Sequence, residues 1–230
     1  MMTVNEKIDE ILSTLDKAPW IKTVLDNHKT WMYQCTTYPT LQGLWLEMGV
    51  YRGKTIQHIA KNTDNIVHGF DSFYGLHEHW DANNPLGVYS LNGKVPDGAI
   101  DLSNEFSNPG MYDSSPTRAT IPWPTNVRLY AGFFEKTIPE FIKNNKESIS
   151  FIHIDSDLYS SAKTIFEQLE SRFIKGTVIC FDDFPGYPEF KDKNHEVKAF
   201  AEFLLKTGFE YKILAFHPGR DYSQACFVLE

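Results

Sequence analysis

Six carboxylates stand where an apolar run gives way to a loop: Glu47 in LWLEMG, Asp71 in VHGFDS, Asp155 and Asp157 in FIHIDSD, and Asp182 and Asp183 in VICFDDF. If these runs are neighbouring parallel strands, all six gather at one carboxyl edge, where such sheets bind ligands. Clustered carboxylates repel each other, so they must be protonated, paired with bases or bridged by a hard cation. Asp155 with Asp182 and Asp183 offers the oxygen ligands that Mg²⁺ prefers, leaving positions for water and a substrate hydroxyl. A metal in that place lowers the pKa of a bound hydroxyl and orients it, while a carboxylate removes the proton. Taken singly, each Asp could instead cap a helix or open a turn.

The stretch Leu44 to Ala60 organises the rest: a short apolar strand, a glycine-punctuated turn and the first turns of an amphipathic helix. Gly49 and Gly53 allow positive φ and let backbone N–H groups approach a ligand. The spacing E-x-G-x-x-x-G from Glu47 differs from the dinucleotide fingerprint G-x-G-x-x-G. Its acidic strand end repels phosphate and suits a cationic or hydroxyl-bearing ligand, such as the amino group of an amino-acid moiety. Asp71, one strand over, can accept both hydroxyls of a ribose or cap the turn DSFYG.

The positioning elements follow in order. Val4 to about Asp26 reads as helix, with Ile8, Ile11, Leu12 and Leu15 on one face before Pro19 interrupts. This N-terminal segment, residues 1–43, is a helical cover, and it could also dock a second copy to give a homodimer. Trp31 to Gln42 is a polar-aromatic lead-in to the first strand. The domain proper spans 44–230. Strand, helix and strand then make a right-handed crossover ending at Asp71. From about 76 to 124 the pattern is Pro-, Gly-, Asn- and Asp-rich without sustained period, as expected of a lid or substrate wall. His77 and His79 there lack further ligands at zinc spacing and read as surface or wall residues.

Strands at Val127–Phe134, Ser148–Asp157 and Thr177–Phe184 alternate with helices, and a terminal hairpin is expected around HPGRDYS. His153 alternates with apolar Ile152 and Ile154 and reads as a core histidine. The fold class is α/β, with a mostly parallel sheet flanked by helices and a terminal antiparallel hairpin.

The totals set outer bounds. With 230 residues there is room for one domain with an insertion. A net charge of -8 and a pI near 5.5 disfavour nucleic acid or an anionic membrane as partner. Cys35, Cys180 and Cys226 have no paired spacing and read as reduced thiols. No apolar run has signal-peptide or membrane-span character, which points to a soluble cytoplasmic protein.

The blocks LEMGVYRGKT, VHGFDSFYGLHEHW, VRLYAGFFEKTIPEF, FIHIDSDLYSSAKTIFEQL and GTVICFDDF, in this order, resemble the macrocin O-methyltransferase family of S-adenosylmethionine-dependent enzymes. The resemblance covers roughly Leu44 to Phe184. It implies a Rossmann-like domain with a seven-stranded sheet and S-adenosylmethionine as cofactor. Glu47, Gly49 and Gly53 would shape the cradle for the methionine part, Asp71 and Ser72 would hold the ribose, and Gly132 and Phe133 would lie beside the adenine. Asp155, Asp182 and Asp183 match positions that bind Mg²⁺, and Asp155 is also the implied general base. The partner would be a small-molecule hydroxyl acceptor, a sugar or glycosylated metabolite. The segments that vary among the natural-product members carry no motif here that names it. Two rivals stand beside this reading: a metal-dependent glycosyltransferase using Asp155-Ser156-Asp157 as D-x-D, and a methyltransferase-like domain serving as a non-catalytic partner subunit.

Overall fold

In β1 (Leu44–Met48) and β4 (Ile149–Ile154) every residue is buried, the signature of parallel strands covered on both faces. They are the central pair of a seven-stranded sheet in a computed structural model that describes residues 2–15, 17–18, 28–80, 84–99, 122–185, 194–218 and 223–230. The other strands are β2 (Val67–Asp71), β3 (Val127–Ala131), β5 (Val178–Phe181), β6 (Tyr211–Pro218) and β7 (Ser223–Leu229), in the order β3-β2-β1-β4-β5-β7-β6. The first five positions pair in parallel, and β7 runs antiparallel to both β5 and β6. The fold is therefore the Rossmann-like α/β sheet with a terminal hairpin.

Alternation along the strands sends side chains to two cores. On one face Leu46, Met48, Ile152, Ile154 and Phe181 pack beneath α4 (Phe134–Asn144), α5 (Tyr159–Leu169), α6 (Glu196–Thr207) and α1 (Val4–Leu15). Phe166 of α5 stacks on Phe203 of α6 with centroids 4.6 Å apart, and Ile8, Ile11 and Leu15 bring α1 into the same core. The opposite face takes Trp45, Phe151, Cys180 and Cys226 beneath α2 (His28–Cys35) and α3 (Lys54–Lys61).

Two element boundaries differ from the sequence reading. The first helix ends at Leu15, and residues 19–27 lie outside the described residues. The lead-in segment contains α2, whose Trp31, Met32 and Cys35 are fully buried. Its eight residues are too short for periodicity to reveal, and tertiary burial of those three side chains holds it. Most of the expected lid, including 100–121, also falls outside the described residues. No described helix is long and apolar enough to cross a membrane.

At the β2–β3 edge of the first core, His68 Nδ1 lies 3.0 Å from the Tyr130 hydroxyl, and its ring meets Phe141 edge-on. Burial, with Arg128 adding to it, holds the imidazole down at about 4. The folded chain thus binds fewer protons here than the unfolded chain between pH 6.5 and 4, so stability present above 6.5 is lost as pH falls through that window. In His68→Gln, which keeps a partner for Tyr130 but cannot titrate, urea midpoints should fall less between pH 6.5 and 4. The difference should be of order 2–3 kcal/mol.

Candidate active site

The strand order reverses between β1 and β4, because the helix after β1 covers one face and the helix after β4 the other. Such a reversal opens a crevice at the carboxyl ends of the strands. A cavity of about 410 Å³ lies there. Hydrogen bonds extend the ladder past the strand ends, from the Asp155 amide to Met48 at 2.8 Å and from the Asp182 amide to Ile154 at 3.0 Å. This extension keeps the acidic residues in register where the sheet stops.

One wall is the turn after β1. Gly49 has φ +94°, and a Cβ there would stand 1.7 Å from the Asp155 carbonyl oxygen. Only glycine lets the two strands approach so closely. Asp71 ties this turn down: its Oδ2 accepts from the amides of Val50 and Tyr51 at 2.8 and 2.7 Å, and its Oδ1 accepts from the Phe73 amide at 2.7 Å. The carboxylate thus both faces the cavity and organises the loop that lines it. Ser72, Gly132 and Phe133 also line the cavity. Phe133 is 41% exposed, with Tyr74 stacked beside it at 6.5 Å.

Two residues expected in the cradle stand outside its wall. Gly53, at φ +74°, faces Trp123, whose ring would lie 2.0 Å from an added Cβ. Glu47 is wholly buried and points beneath the cavity, its Oε1 3.2 Å from His153 Nδ1. Its Oε2 has no hydrogen-bond partner among the described residues. Burial lifts Glu47 to about 7, with His153 pulling the other way. Burial opposes a charge on His153, but Asp182 and Glu47 outweigh it and raise the imidazole to about 10. His153 Nε2 lies 3.8 Å from Asp182 Oδ1. The core histidine is therefore a buried link between the central strand and the acidic edge.

The opposite wall is acidic. Ligand atoms of Asp155, Asp157 and Asp183 lie within 4.8 Å of one another, and Asp155 also groups with His153 and Asp182. Burial, then the neighbouring carboxylates, pushes Asp155 and Asp183 well above the ordinary carboxylate range, and Asp157 reaches about 7. Among the described residues no lysine or arginine forms an ion pair with Asp155, Asp157 or Asp183. Asp157 takes a left-handed backbone at φ 60°, and its side chain shares a hydrogen bond with Asp183.

A family model described as a methyltransferase domain matches residues 46–184, more than half of the chain. This chain belongs to that methyltransferase family. The whole fold of the methyltransferase is also similar to solved structures. The O-methyltransferase NovP aligns with TM-score 0.57 and 18% identity over 98% of this chain and 97% of that one. CalS11, a calicheamicin methyltransferase, aligns with TM-score 0.55 and 17% identity over 99% and 94%. An O-methyltransferase from Bacillus cereus in complex with SAH gives TM-score 0.50 and 14% identity over 97% and 90%. No curated protein matches the chain in sequence.

Sequence reasoning missed several cavity residues of the methyltransferase. Tyr51, Lys54 and Tyr89 line it, with the Tyr51 and Tyr89 rings edge to face at 5.6 Å. Glu196, in the first turn of α6, is wholly buried below the acidic wall, and its Oε1 accepts from the Ser156 amide and hydroxyl at 3.2 and 3.1 Å. In sequence Glu196 is an ordinary acidic helix start, so nothing there marks it. His77 reaches Ser160 of α5 at 3.1 Å, which anchors the beginning of the insertion to the sheet domain.

The Gly49 contact supplies a test of this construction. Gly49→Ala should destabilise the fold by roughly 3 kcal/mol or more, because backbone rather than a flexible side chain blocks the added carbon. Chemical denaturation would register it as a lower midpoint with an unchanged slope.

Proposed function

We propose that this methyltransferase takes its methyl group from S-adenosylmethionine and places it on a hydroxyl of a small molecule, a sugar or glycosylated metabolite, with Mg²⁺ assisting. The observation that carries the reading is the joining, in one cavity, of a glycine turn tied by Asp71 to the cluster of Asp155, Asp157 and Asp183, which among the described residues has no lysine or arginine partner. Two similar folds support the acceptor class: NovP is an O-methyltransferase, and an apo CalS11 structure, with TM-score 0.51 and 18% identity, is titled a TDP-rhamnose 3'-O-methyltransferase. The SAH complex of the Bacillus cereus enzyme supports the cofactor.

In this reading the turn at Gly49–Tyr51, its amides held by the Phe70 carbonyl and the Asp71 carboxylate, packs against the methionine part, while Glu47 supports that turn from below through the β1 backbone. Gly53 shapes the turn against Trp123. Asp71 keeps acceptor capacity for a ribose hydroxyl beside its three amide bonds, and Ser72 adds a second polar group. Phe133, next to Gly132, offers a half-exposed aromatic face to the adenine.

The donor set fits Mg²⁺, since Asp155, Asp157 and Asp183, grouped within 4.8 Å, supply only oxygens, and Asp182, which groups with Asp155 and His153 rather than with Asp183, adds another beside them. A bound Mg²⁺ would supply Lewis-acid activation of the acceptor hydroxyl. Asp155 accepts the hydroxyl proton as the oxygen aligns with the methyl group. The described start of the insertion, with Leu76, His77 and Tyr89 at the cavity, supplies the acceptor wall, and the acidic chain acts in the cytoplasm on small molecules rather than nucleic acid.

Calorimetric titration with S-adenosylhomocysteine should give micromolar binding to the parent and to Asp155→Asn alike, with methyl transfer to a sugar acceptor lost from the variant. Absence of binding to both would remove the cofactor reading, and unchanged turnover in Asp155→Asn would remove the base assignment.

The raised carboxyl groups make metal binding compete with protons. Mg²⁺ affinity should therefore climb as pH rises from about 6 to 8, across the range where Asp157 loses its proton. Titrations in buffers of different ionisation enthalpy would read the released protons directly, and a pH-independent affinity would contradict the ligand set.

A further inference from the structure

The three cysteines of the chain converge beneath the cavity, outside its lining. Cys35 ends α2, Cys180 lies on β5 and Cys226 on β7; all three are fully buried and their sulfurs lie within 4.8 Å of one another. Cys180 and Cys226 are direct partners across the antiparallel pair. Opposed residues of such a pair have Cα atoms about 4.5 to 5.5 Å apart, inside the span that a disulfide bridges. Their Sγ atoms are 2.8 Å apart, with the Cys180 thiol directed at Cys226.

From these observations we infer that Cys180 and Cys226 are a redox-active pair that hydrogen peroxide converts to a cross-strand disulfide, with Cys35 as the third thiol able to exchange into the bond. The distances favour a bond over a metal. An S–S bond of about 2.05 Å needs the sulfurs to close by roughly 0.75 Å. A tetrahedral Zn²⁺ site with bonds of about 2.3 Å needs them to spread to roughly 3.8 Å and requires a fourth ligand. Bridging also leaves both sulfurs neutral in an apolar layer, whereas a thiolate cage buries further charge.

Burial works against a charged sulfur at Cys226, yet the thiols of Cys180 and Cys35 and the charge of His153 bring it down to about 6. Burial holds the Cys35 thiol well above its ordinary value. Cys226, whose sulfur accepts from the Cys180 thiol, is assigned as the attacking sulfur. Its thiolate takes one oxygen of the peroxide, the O–O bond breaks, and hydroxide leaves to be protonated to water. The Cys180 sulfur then attacks the sulfenic sulfur; the S–S bond forms, the S–O bond breaks, and the oxygen departs as a second water with the Cys180 proton. Two electrons pass from the sulfurs to the peroxide. The bridge would pin β5 to β7 two residues before Asp182, which accepts from Gln224 two residues before Cys226.

The test uses reduced full-length protein exposed to hydrogen peroxide, unfolded, alkylated and analysed by mass spectrometry. The expected result is loss of two of the three alkylatable thiols, a peptide pair joined through Cys180 and Cys226, and recovery of all three thiols with dithiothreitol. Cys35→Ser should keep the bridge and Cys226→Ser should abolish it. Should Cys226→Ser fail to fold, the parent and Cys35→Ser decide. Three alkylatable thiols after a dose that bridges a small dithiol would overturn the proposal. So would a sulfinic acid at Cys226 in place of the bridge, or thiols masked by a metal that acid releases.

Discussion

A carboxylate and an imidazole with no exposure to water, Glu47 and His153, meet at 3.2 Å across the two central strands. Neither could be buried alone without a large desolvation cost, so each is the condition for the other. Their pairing is dictated by register, since Glu47 lies opposite His153 on β4, His153 opposite Cys180 on β5, and Cys180 opposite Cys226 on β7. A row of four polar or sulfur side chains thus crosses one face of the sheet immediately beneath the cavity. A one-residue slip of any strand would send its member to the other core, so the row and the strand register stand or fall together.

Above that row the site is built against electrostatic preference. The ends of β4 and β5, with the residues that follow, hold Asp155, Asp157, Asp182 and Asp183 near one another, and burial with repulsion from neighbouring carboxylates pushes protons onto Asp155, Asp157 and Asp183. The backbone ladder that continues to the Asp155 and Asp182 amides leaves them little freedom to separate. Stored repulsion of this kind makes the edge responsive to a cation and to pH, and it explains why a positively charged His153 is placed 3.8 Å from Asp182. Asp71 is different in kind. Three backbone amides donate to its carboxylate, so it fixes the shape of the turn.

Much of this was legible in the chain itself. The near-continuous apolar runs at Leu44–Met48 and Ile149–Ile154 announce central parallel strands, and the carboxylates just beyond them announce a polar edge. The element order and the hairpin around residues 218–223 follow from alternation and turn residues. The α2 helix escaped because eight residues carry too little periodicity, and Glu196 escaped because an acid in a first helical turn is commonplace. Glu47 was legible as a key residue but not as one turned beneath the wall, since only the pairing of β1 with β4 supplies the imidazole that donates to it.

The sequence by itself determined the composition of each strand end, the glycines at the tight approach and the family to which residues 46–184 belong, because these depend on local chemistry and spacing. Tertiary structure alone decided which side chains meet. Cys35, Cys180 and Cys226 have no spacing in common, and Asp155 and Asp183 are separated by a helix, yet both groups converge to within 4.8 Å. The physical reason is that parallel strand pairing is non-local: hydrogen-bond register between distant segments, not the order of residues along the chain, fixes which face and which row each side chain occupies.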